Sequence, residues 1–272
     1  MRLLLCWLLG LTLCCAAHAR AEEKPDPLEL FAREFVAITP GQGAFPATFS
    51  MGSAEDASTQ PVHTVPLTTP FHIAKYEVPQ DLYQQVMGGN PSKWKGNRNS
   101  VEMLTPSEAA EFCGKITKLL QEQKLIAANE VIRLPTEIEW EYCCRAGTTT
   151  LYSFGDKAQA EGDLDAQATH LDKYGWHHGN AAGNDPPVGA LAPNPWGLYD
   201  MHGYLWEMCS DSWKPDYAEG TPADAEGAVV MRSGSWKDSH PKLTSASRRK
   251  FAQDGKDDAV GFRCVKSAMA KP

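Results

Sequence analysis

A chain of 272 residues with 42% hydrophobic and 22% charged residues has the composition of a globular protein and is long enough for one substantial core. The formal net charge of -8 argues against a nucleic-acid partner, because no basic stripe is present that could follow a phosphate backbone. The basic cluster Arg248-Arg249-Lys250 has three charges, which is more typical of a solvated or ion-paired patch.

The first residues have the pattern of a secretory signal peptide. Arg2 precedes a short apolar run, and small residues allow cleavage near Ala19–Ala21. The run is too short to span a membrane comfortably. Cys14-Cys15 leaves lipidation of the N-terminus open. We therefore predict a protein exported to the periplasm or secreted, with a signal peptide over 1–21 and a polar tether over 22–37.

Export changes the interpretation of the cysteines, because disulfides form in oxidising compartments. Five cysteines remain after removal of the signal peptide: Cys113, Cys143, Cys144, Cys209 and Cys264. An odd number means that at least one thiol is free or pairs with another molecule. No pair has CxxC spacing, and no Cys/His set has the spacing of zinc ligands.

Two helices are predicted by their N-terminal caps. Thr105-Pro106-Ser107-Glu108 and Thr136-Glu137-Ile138-Glu139 each place a threonine three residues before a glutamate, which is a capping box. Apolar residues follow the first box at helical spacing. A third, shorter helix is predicted over 80–87, before Gly88-Gly89.

Short strands and turns are predicted for much of the remaining chain. Strand-like runs occur near 49–53, 62–67 and 71–78, and 148–188 is rich in turns. No linker or internal repeat interrupts the chain between 38 and 265. The sequence therefore predicts one α+β domain with little regular structure, which needs disulfides or metal ions to hold its long loops.

An acidic, aromatic-rich stretch over 193–209 is the strongest candidate for a binding site. It contains Asp200 and Glu207, with Gly203 between them and two tryptophans and two tyrosines around them. Carboxylates together with backbone carbonyls suit a hard cation such as Ca²⁺. The alternative is a buried turn whose acids pair with arginine or accept backbone N–H groups.

Six blocks of sequence resemble, in this order, the formylglycine-generating enzyme (sulfatase-modifying factor) family. They are Phe49–Ser53, Tyr76–Val78, Arg133–Tyr142, Asn194–Glu207, Ser233–Trp236 and Gly261–Cys264. The resemblance covers nearly all of the mature chain, which predicts a domain of this family over 38–268. It implies a compact, irregular α+β domain related to the C-type-lectin-like fold, commonly with bound structural calcium.

The resemblance also implies roles for individual residues. One calcium site would be formed by the side chains of Asp200 and Glu207 and the backbone carbonyls of Gly203 and Leu205. A second would lie near Asn180-Ala181. Tyr204 replaces the asparagine that is usual in this loop.

The family match also implies a disulfide between Cys113 and Cys264. Cys144 matches a disulfide position as well, but its partner would lie near Ser245, which is not a cysteine. The pairing of Cys143, Cys144 and Cys209 therefore stays open.

The family's catalytic centre is not matched. Formylglycine-generating enzymes use two copper(I)-binding cysteines between the blocks matching Ser233–Trp236 and Gly261–Cys264, whereas residues 237–263 contain no cysteine. Asp238 stands near the first of these positions, and its hard oxygen is a poor ligand for a soft cuprous ion. Copper is therefore not expected. Asp238, His240, Arg248 and Arg249 would line the equivalent cleft, or else form a polar surface loop.

Three functions are compatible with this sequence. The first is a non-catalytic, calcium-stabilised binding or scaffold domain with a peptide or protein ligand, as the missing cysteine pair favours. The second is an oxidase or peptide-modifying enzyme with a non-standard centre. The third is a partner that binds sulfatases or a family enzyme without catalysing a reaction. We expect no membrane span, and the sequence leaves the oligomeric state open.

Overall fold

The computed structural model describes residues 25–182 and 185–269, and the predicted signal peptide lies outside them. The helices are α1 (Pro27–Arg33), α2 (Gln80–Met87), α3 (Pro106–Glu122) and α4 (Glu137–Arg145). The strands are β1 (Phe35–Ile38), β2 (Thr48–Met51), β3 (His63–Pro66), β4 (Phe71–Ala74), β5 (Glu130–Arg133), β6 (Trp206–Ser212), β7 (Val229–Arg232), β8 (Arg248–Phe251), β9 (Val260–Gly261) and β10 (Val265–Ala268). Short 3-10 turns occur at Ala57–Thr59, Leu171–Lys173 and His240–Lys242.

The capped helices form where the sequence predicts them. The Thr105 hydroxyl accepts the Glu108 N–H at 3.2 Å, and the Glu108 carboxylate accepts the Thr105 N–H at 2.7 Å. Thr136 and Glu139 repeat this arrangement at the start of α4, with distances of 2.9 and 3.2 Å. Helix α2 ends at Gly88, whose φ of 80° suits a residue without a side chain.

The N-terminal segment contains regular structure from Pro27 onward, so the predicted tether over 22–37 is wrong for that part. The Asp26 carboxylate accepts the Leu28 N–H at 2.9 Å, and the following proline takes the first helical position. Leu28 and Phe31 are buried in the core. Burial of side chains of this size contributes about 1.5–3 kcal/mol each, which explains why the segment packs onto the domain.

The strands form two four-stranded sheets and one hairpin of β2 and β3. In the first sheet the order is β1-β4-β10-β5, and β10 pairs antiparallel with both of its neighbours. In the second sheet the order is β8-β7-β6-β9, and β6 runs parallel to β9. This register places Glu207 opposite both Arg232 and Gly261, inside the sheet.

Two main apolar clusters form the core. One contains the inner face of α3, with Phe112, Ile116 and Leu120, and the other surrounds Trp140 and Tyr142 of α4. Among the described residues between α4 and β6, the turn Leu171–Lys173 is the one named element, so most of them lie in loops. The predicted α+β domain with little regular structure is confirmed. None of the described helices has the length and apolar character needed to cross a membrane.

Candidate functional site

Glu207 forms a buried ion pair with Arg263 at the end of the acidic stretch. The guanidinium donates from Nε to Oε2 and from Nη2 to Oε1, each at 2.6 Å. The indole N–H of Trp140 donates to the same Oε2 at 2.8 Å. All three side chains are fully buried. The alternative in which an acid of this stretch pairs with arginine therefore describes Glu207 in the structure.

Two further buried carboxylates lie beside this ion pair. Asp200 accepts the Gly189 N–H with Oδ2 at 2.8 Å, whereas its buried Oδ1 has no hydrogen-bond partner in the described part of the chain. Glu77 accepts the Leu205 N–H at 3.2 Å and the Ser100 hydroxyl. Glu77 was not among the predicted site residues, because it lies 123 residues before Asp200 in the sequence.

Burial controls the ionisation of these acids. It raises the pKa of Asp200 to about 6, with a further increase from Glu207, while the Gly189 N–H and Arg263 act in the opposite direction. Burial, together with the negative charges of Glu207 and Asp200, also raises the pKa of Glu77 well above its ordinary value. Three carboxylates face one guanidinium here, so a proton or a cation would relieve their repulsion.

The residues of the predicted calcium site fit a cation unequally. Asp200 fits, because its Oδ1 is a buried carboxylate oxygen without a partner. Glu207 fits less well, because both of its oxygens bind Arg263. The Gly203 carbonyl accepts the Ser233 hydroxyl at 3.3 Å. Within residues 25–182 and 185–269, no group of three or more His, Cys, Asp or Glu side chains is arranged to hold a metal ion, so backbone carbonyls would have to complete such a site.

Asn180, predicted near a second calcium ion, stabilises its own turn. Its Oδ1 accepts the His177 N–H at 2.8 Å, and its Nδ2 donates to the Gly175 carbonyl at 3.0 Å. The neighbouring Ala181 is buried. These contacts are those of a turn-forming asparagine, and a second calcium ion stays a prediction.

Asp238 is held by hydrogen bonds at the position where the resemblance places a catalytic cysteine. Its Oδ2 accepts the Trp206 indole N–H at 2.8 Å, the Ser235 N–H at 3.1 Å and the Ser235 hydroxyl at 2.6 Å. Asp238 and Arg249 line a cavity of about 120 Å³. Two of the four predicted cleft residues therefore lie together.

The other two residues lie elsewhere. The Arg248 guanidinium binds the Glu137 carboxylate at 2.6 Å and lies 4.3 Å from the Trp213 ring centroid and 4.6 Å from that of Tyr217. His240 lines a separate cavity of about 570 Å³. The prediction of one cleft lined by all four residues is therefore wrong for Arg248 and His240. For Arg248 the reason is that it pairs with Glu137, a buried acid on α4 that is distant in sequence.

The cysteines in the described part of the chain are buried thiols. Burial, followed by a hydrogen bond with Cys113, raises the pKa of Cys264 well above its ordinary value. These two side chains are therefore neighbours, and the disulfide between them stays a prediction. Burial likewise raises the pKa of Cys144 to about 12 and the pKa values of Cys143 and Cys209 well above the ordinary range. Such thiols remain protonated and unreactive at neutral pH.

A second candidate site, which we call the tryptophan cavity, was not predicted from the sequence. It has a volume of about 330 Å³, and its walls include Trp94, Trp176, Trp236, Tyr204 and Glu102. The Tyr204 hydroxyl donates to the Pro186 carbonyl at 2.7 Å, which fixes this ring in the wall. A concave site with aromatic walls and few polar groups is typical of a ligand-binding pocket.

Two residues of this wall each have a buried polar atom without a hydrogen-bond partner among the described residues. These atoms are Oε2 of Glu102 and Nε1 of Trp176. The other carboxylate oxygen of Glu102 accepts the N–H groups of Lys93 at 2.6 Å and Trp94 at 3.0 Å, so the side chain is fixed in place. A buried acceptor and a buried donor without partners are costly unless water or a ligand satisfies them.

Comparison with known structures supports the fold. Variable protein 1 of Treponema denticola has a TM-score of 0.68 at 24% identity. The match covers 85% of this chain and 94% of that protein's chain. PvdO from Pseudomonas aeruginosa has the same TM-score at 23% identity, covering 86% and 94% of the two chains.

Sequence comparison identifies the family. Residues 21–268 match the model of the sulfatase-modifying factor enzyme 1-like domain. The formylglycine-generating enzyme of Mycobacterium tuberculosis is 32% identical over 151 residues, which are 49% of this chain and 50% of that enzyme. The chain thus spans about half the length of this curated relative. The chaperone protein LppX of Paenibacillus barcinonensis is 27% identical, and the match covers 72% of this chain and 80% of LppX. The chain belongs to the formylglycine-generating enzyme, or sulfatase-modifying factor, family.

Proposed function

We propose that this protein is an exported, non-catalytic member of its family that binds a peptide or protein ligand. The observation that carries this proposal is the environment of Asp238. One of its oxygens accepts three hydrogen bonds from Trp206 and Ser235, at the position where the family's chemistry requires a copper-binding thiolate. A carboxylate held in this way is a hard, committed acceptor and offers nothing to a soft cuprous ion.

The remaining cysteines support the same conclusion. Residues 237–263 contain no cysteine, and the five cysteines of the described chain are buried. A copper-dependent oxidation would need an accessible thiolate, whereas the raised pKa values of Cys143, Cys144, Cys209 and Cys264 keep these groups protonated.

The tryptophan cavity is the part of the proposal that concerns binding. Its volume of about 330 Å³ suits a side chain or a small molecule rather than a whole protein surface. A peptide that inserts one residue there would satisfy the unpartnered atoms of Glu102 and Trp176. The names of two relatives are in keeping with a non-catalytic role: the chaperone protein LppX, and an inactive Cα-formylglycine-generating enzyme 2 of Mus musculus that is 30% identical over 147 residues. A sulfatase is a candidate partner.

Export and calcium complete the proposal. Export is supported by the basic, apolar and small-residue pattern of the first 21 residues. A structural calcium ion would be held by the Asp200 carboxylate with the carbonyls of Gly203 and Leu205, and would neutralise part of the buried negative charge. Glu207 would contribute only if it shared an oxygen with Arg263.

The alternative is a peptide-modifying enzyme with a non-standard centre. The observation that favours it is the 120 Å³ cavity that brings Asp238 and Arg249 together. This cavity is small, and the Asp238 carboxylate in it already accepts three hydrogen bonds. We therefore rank the enzyme alternative second.

The test is a mass-spectrometric assay on a Cys-x-Pro-x-Arg peptide, with the purified protein loaded with copper under oxygen. A family enzyme with the cysteine pair, assayed in parallel, is the positive control. We expect the control to convert the peptide cysteine to the aldehyde and this protein to give only the no-protein background. Aldehyde formation above that background that disappears in the Asp238→Asn variant would overturn the proposal in favour of the alternative.

A further inference from the structure

The tryptophan cavity has uncompensated negative charge on its wall. Glu102 is 3% exposed, and no lysine, arginine or histidine in the described part of the chain forms an ion pair with it. Asp185 also lines the cavity, and its described hydrogen bonds come from Asn99 and Tyr204, which are neutral. Burial raises the pKa of Glu102, and Asp258 and Asp185 add to this effect. A cation placed beside Glu102 would lower its pKa and so oppose both contributions.

The lysines nearest to the cavity do not supply this cation. Lys93 binds Asp258 at 2.8 Å, and Lys237 binds Asp258 as well as Asp257. Their ammonium groups lie 4.8 Å from the Trp94 ring and 5.2 Å from the Trp236 ring. The chain thus already pairs ammonium groups with aromatic rings and a carboxylate at the rim, where the rings attract positive charge.

The geometry of Glu102 distinguishes an ammonium group from a guanidinium group. Its Oε1 already accepts two backbone N–H groups, so only the buried Oε2 has unused hydrogen-bonding capacity. A guanidinium binds best through two parallel hydrogen bonds to both carboxylate oxygens, whereas an ammonium is a point charge that one oxygen satisfies. The unpartnered indole N–H of Trp176 then needs an acceptor, which a backbone carbonyl of a peptide provides.

From these contacts we infer that the tryptophan cavity binds a lysine side chain of a peptide or protein partner, with its ammonium group on Oε2 of Glu102. The aromatic walls hold the methylene chain, and the Trp176 N–H binds a carbonyl of the same peptide. This inference rests on the proposed binding function and names the ligand chemistry of that site.

Isothermal titration calorimetry on the full mature protein tests the inference with three peptides. They are Ac-Ala-Lys-Ala-NH₂, the same peptide with uncharged norleucine in place of lysine, and the same peptide with arginine. We expect the lysine peptide to bind at least about tenfold more tightly than either of the others, since a desolvated charge-assisted contact is lost in one and poorly matched in the other. Butylamine carries the same ammonium group without a peptide. If butylamine binds as tightly as the lysine peptide, the peptide part of the inference is overturned.

Variants locate the contact. Glu102→Gln keeps an oxygen for the two backbone N–H groups and removes the charge, so the preference for lysine over norleucine should fall to about one. Glu108→Gln, an acid on α3 that pairs with Lys256, is the matched control and should keep the preference. Trp94→Leu, at a side chain that is 47% exposed, is a second test that should fold normally and weaken lysine binding several-fold.

The outcomes separate this inference from the proposed function. An equal affinity for lysine and norleucine peptides, an undiminished preference in Glu102→Gln, or no binding of any peptide would overturn the lysine site. Aldehyde formation in the copper assay would overturn the non-catalytic function and leave a measured lysine preference intact.

Discussion

Replacing Asp200 with asparagine should stabilise this protein at neutral pH when calcium is absent. Asp200 has a φ of 57°, in the left-handed region that asparagine tolerates as well as aspartate. An asparagine side-chain carbonyl can also keep the hydrogen bond from the Gly189 N–H. The substitution therefore changes the charge of a buried group while it preserves the backbone conformation and the shape of the side chain.

The raised pKa of Asp200 gives the size and sign of the effect. Burial raises the pKa from 3.8 to about 6 in the folded protein, so the ionised group costs folding about 3 kcal/mol at neutral pH. As pH falls through about 6 toward 3.8, the folded state binds the proton before the unfolded state does, and this cost disappears. The wild-type protein should therefore gain stability from this group over that window, and Asp200→Asn should lack this gain.

Urea denaturation in EDTA, at neutral pH and at pH values within that window, measures both effects. Asp165→Asn is the matched control, because Asp165 also has a positive φ, of 47°, but is exposed. We expect this control to change the free energy of unfolding by less than about 0.5 kcal/mol. If Asp200→Asn is no more stable than the wild type at neutral pH in EDTA, the assignment of a buried, destabilising charge is refuted. Millimolar calcium should stabilise the wild type and not the variant; a wild type that does not respond would refute the calcium site.

Three further predictions concern stability. Arg263→Met leaves Glu207 without its partner and should cost about 3–5 kcal/mol in urea denaturation; Arg33→Met, at a 74% exposed side chain, should cost less than about 0.5 kcal/mol, and equal effects would contradict the ion-pair assignment. Peptide mapping without reductant should recover Cys113 and Cys264 in one linked fragment, with the bridge contributing roughly 5 kcal/mol; recovery of two free thiols would show that no bridge forms. Phe31→Ala should cost about 3–5 kcal/mol, and a cost below about 1 kcal/mol would mean that α1 does not pack on the core.

Local signals in the sequence predicted the helices well. The capping boxes at Thr105 and Thr136 involve residues three apart, so the same few side chains determine where each helix begins. Helix α1 was missed, although Asp26 followed by Pro27 is itself a helix-start signal. Its short length and charged residues resembled a tether, and only contact with the core shows that Phe31 is buried.

The sites depend on contacts between residues far apart in the sequence, which single-sequence patterns do not reveal. Glu207 and Arg263 are separated by 56 residues, and Glu137 and Arg248 by 111. The resemblance directed attention to the loop with Asp200, but it did not indicate that the Arg263 guanidinium binds both oxygens of Glu207. The tryptophan cavity is assembled from separate loops, so no one segment of the sequence contains its pattern.

The position of β10 has a consequence for how the chain folds. Residues 265–268 form an interior strand between β4 and β5, so the first sheet cannot close until this late segment is available. Before then, both neighbouring strands have an unpaired edge, which is a hazard for aggregation. Pairings across nearly two hundred residues also make folding slow. The edges of β4 and β5 therefore stay exposed until β10 pairs with them, and removal of β10 should leave the chain aggregated rather than partly folded.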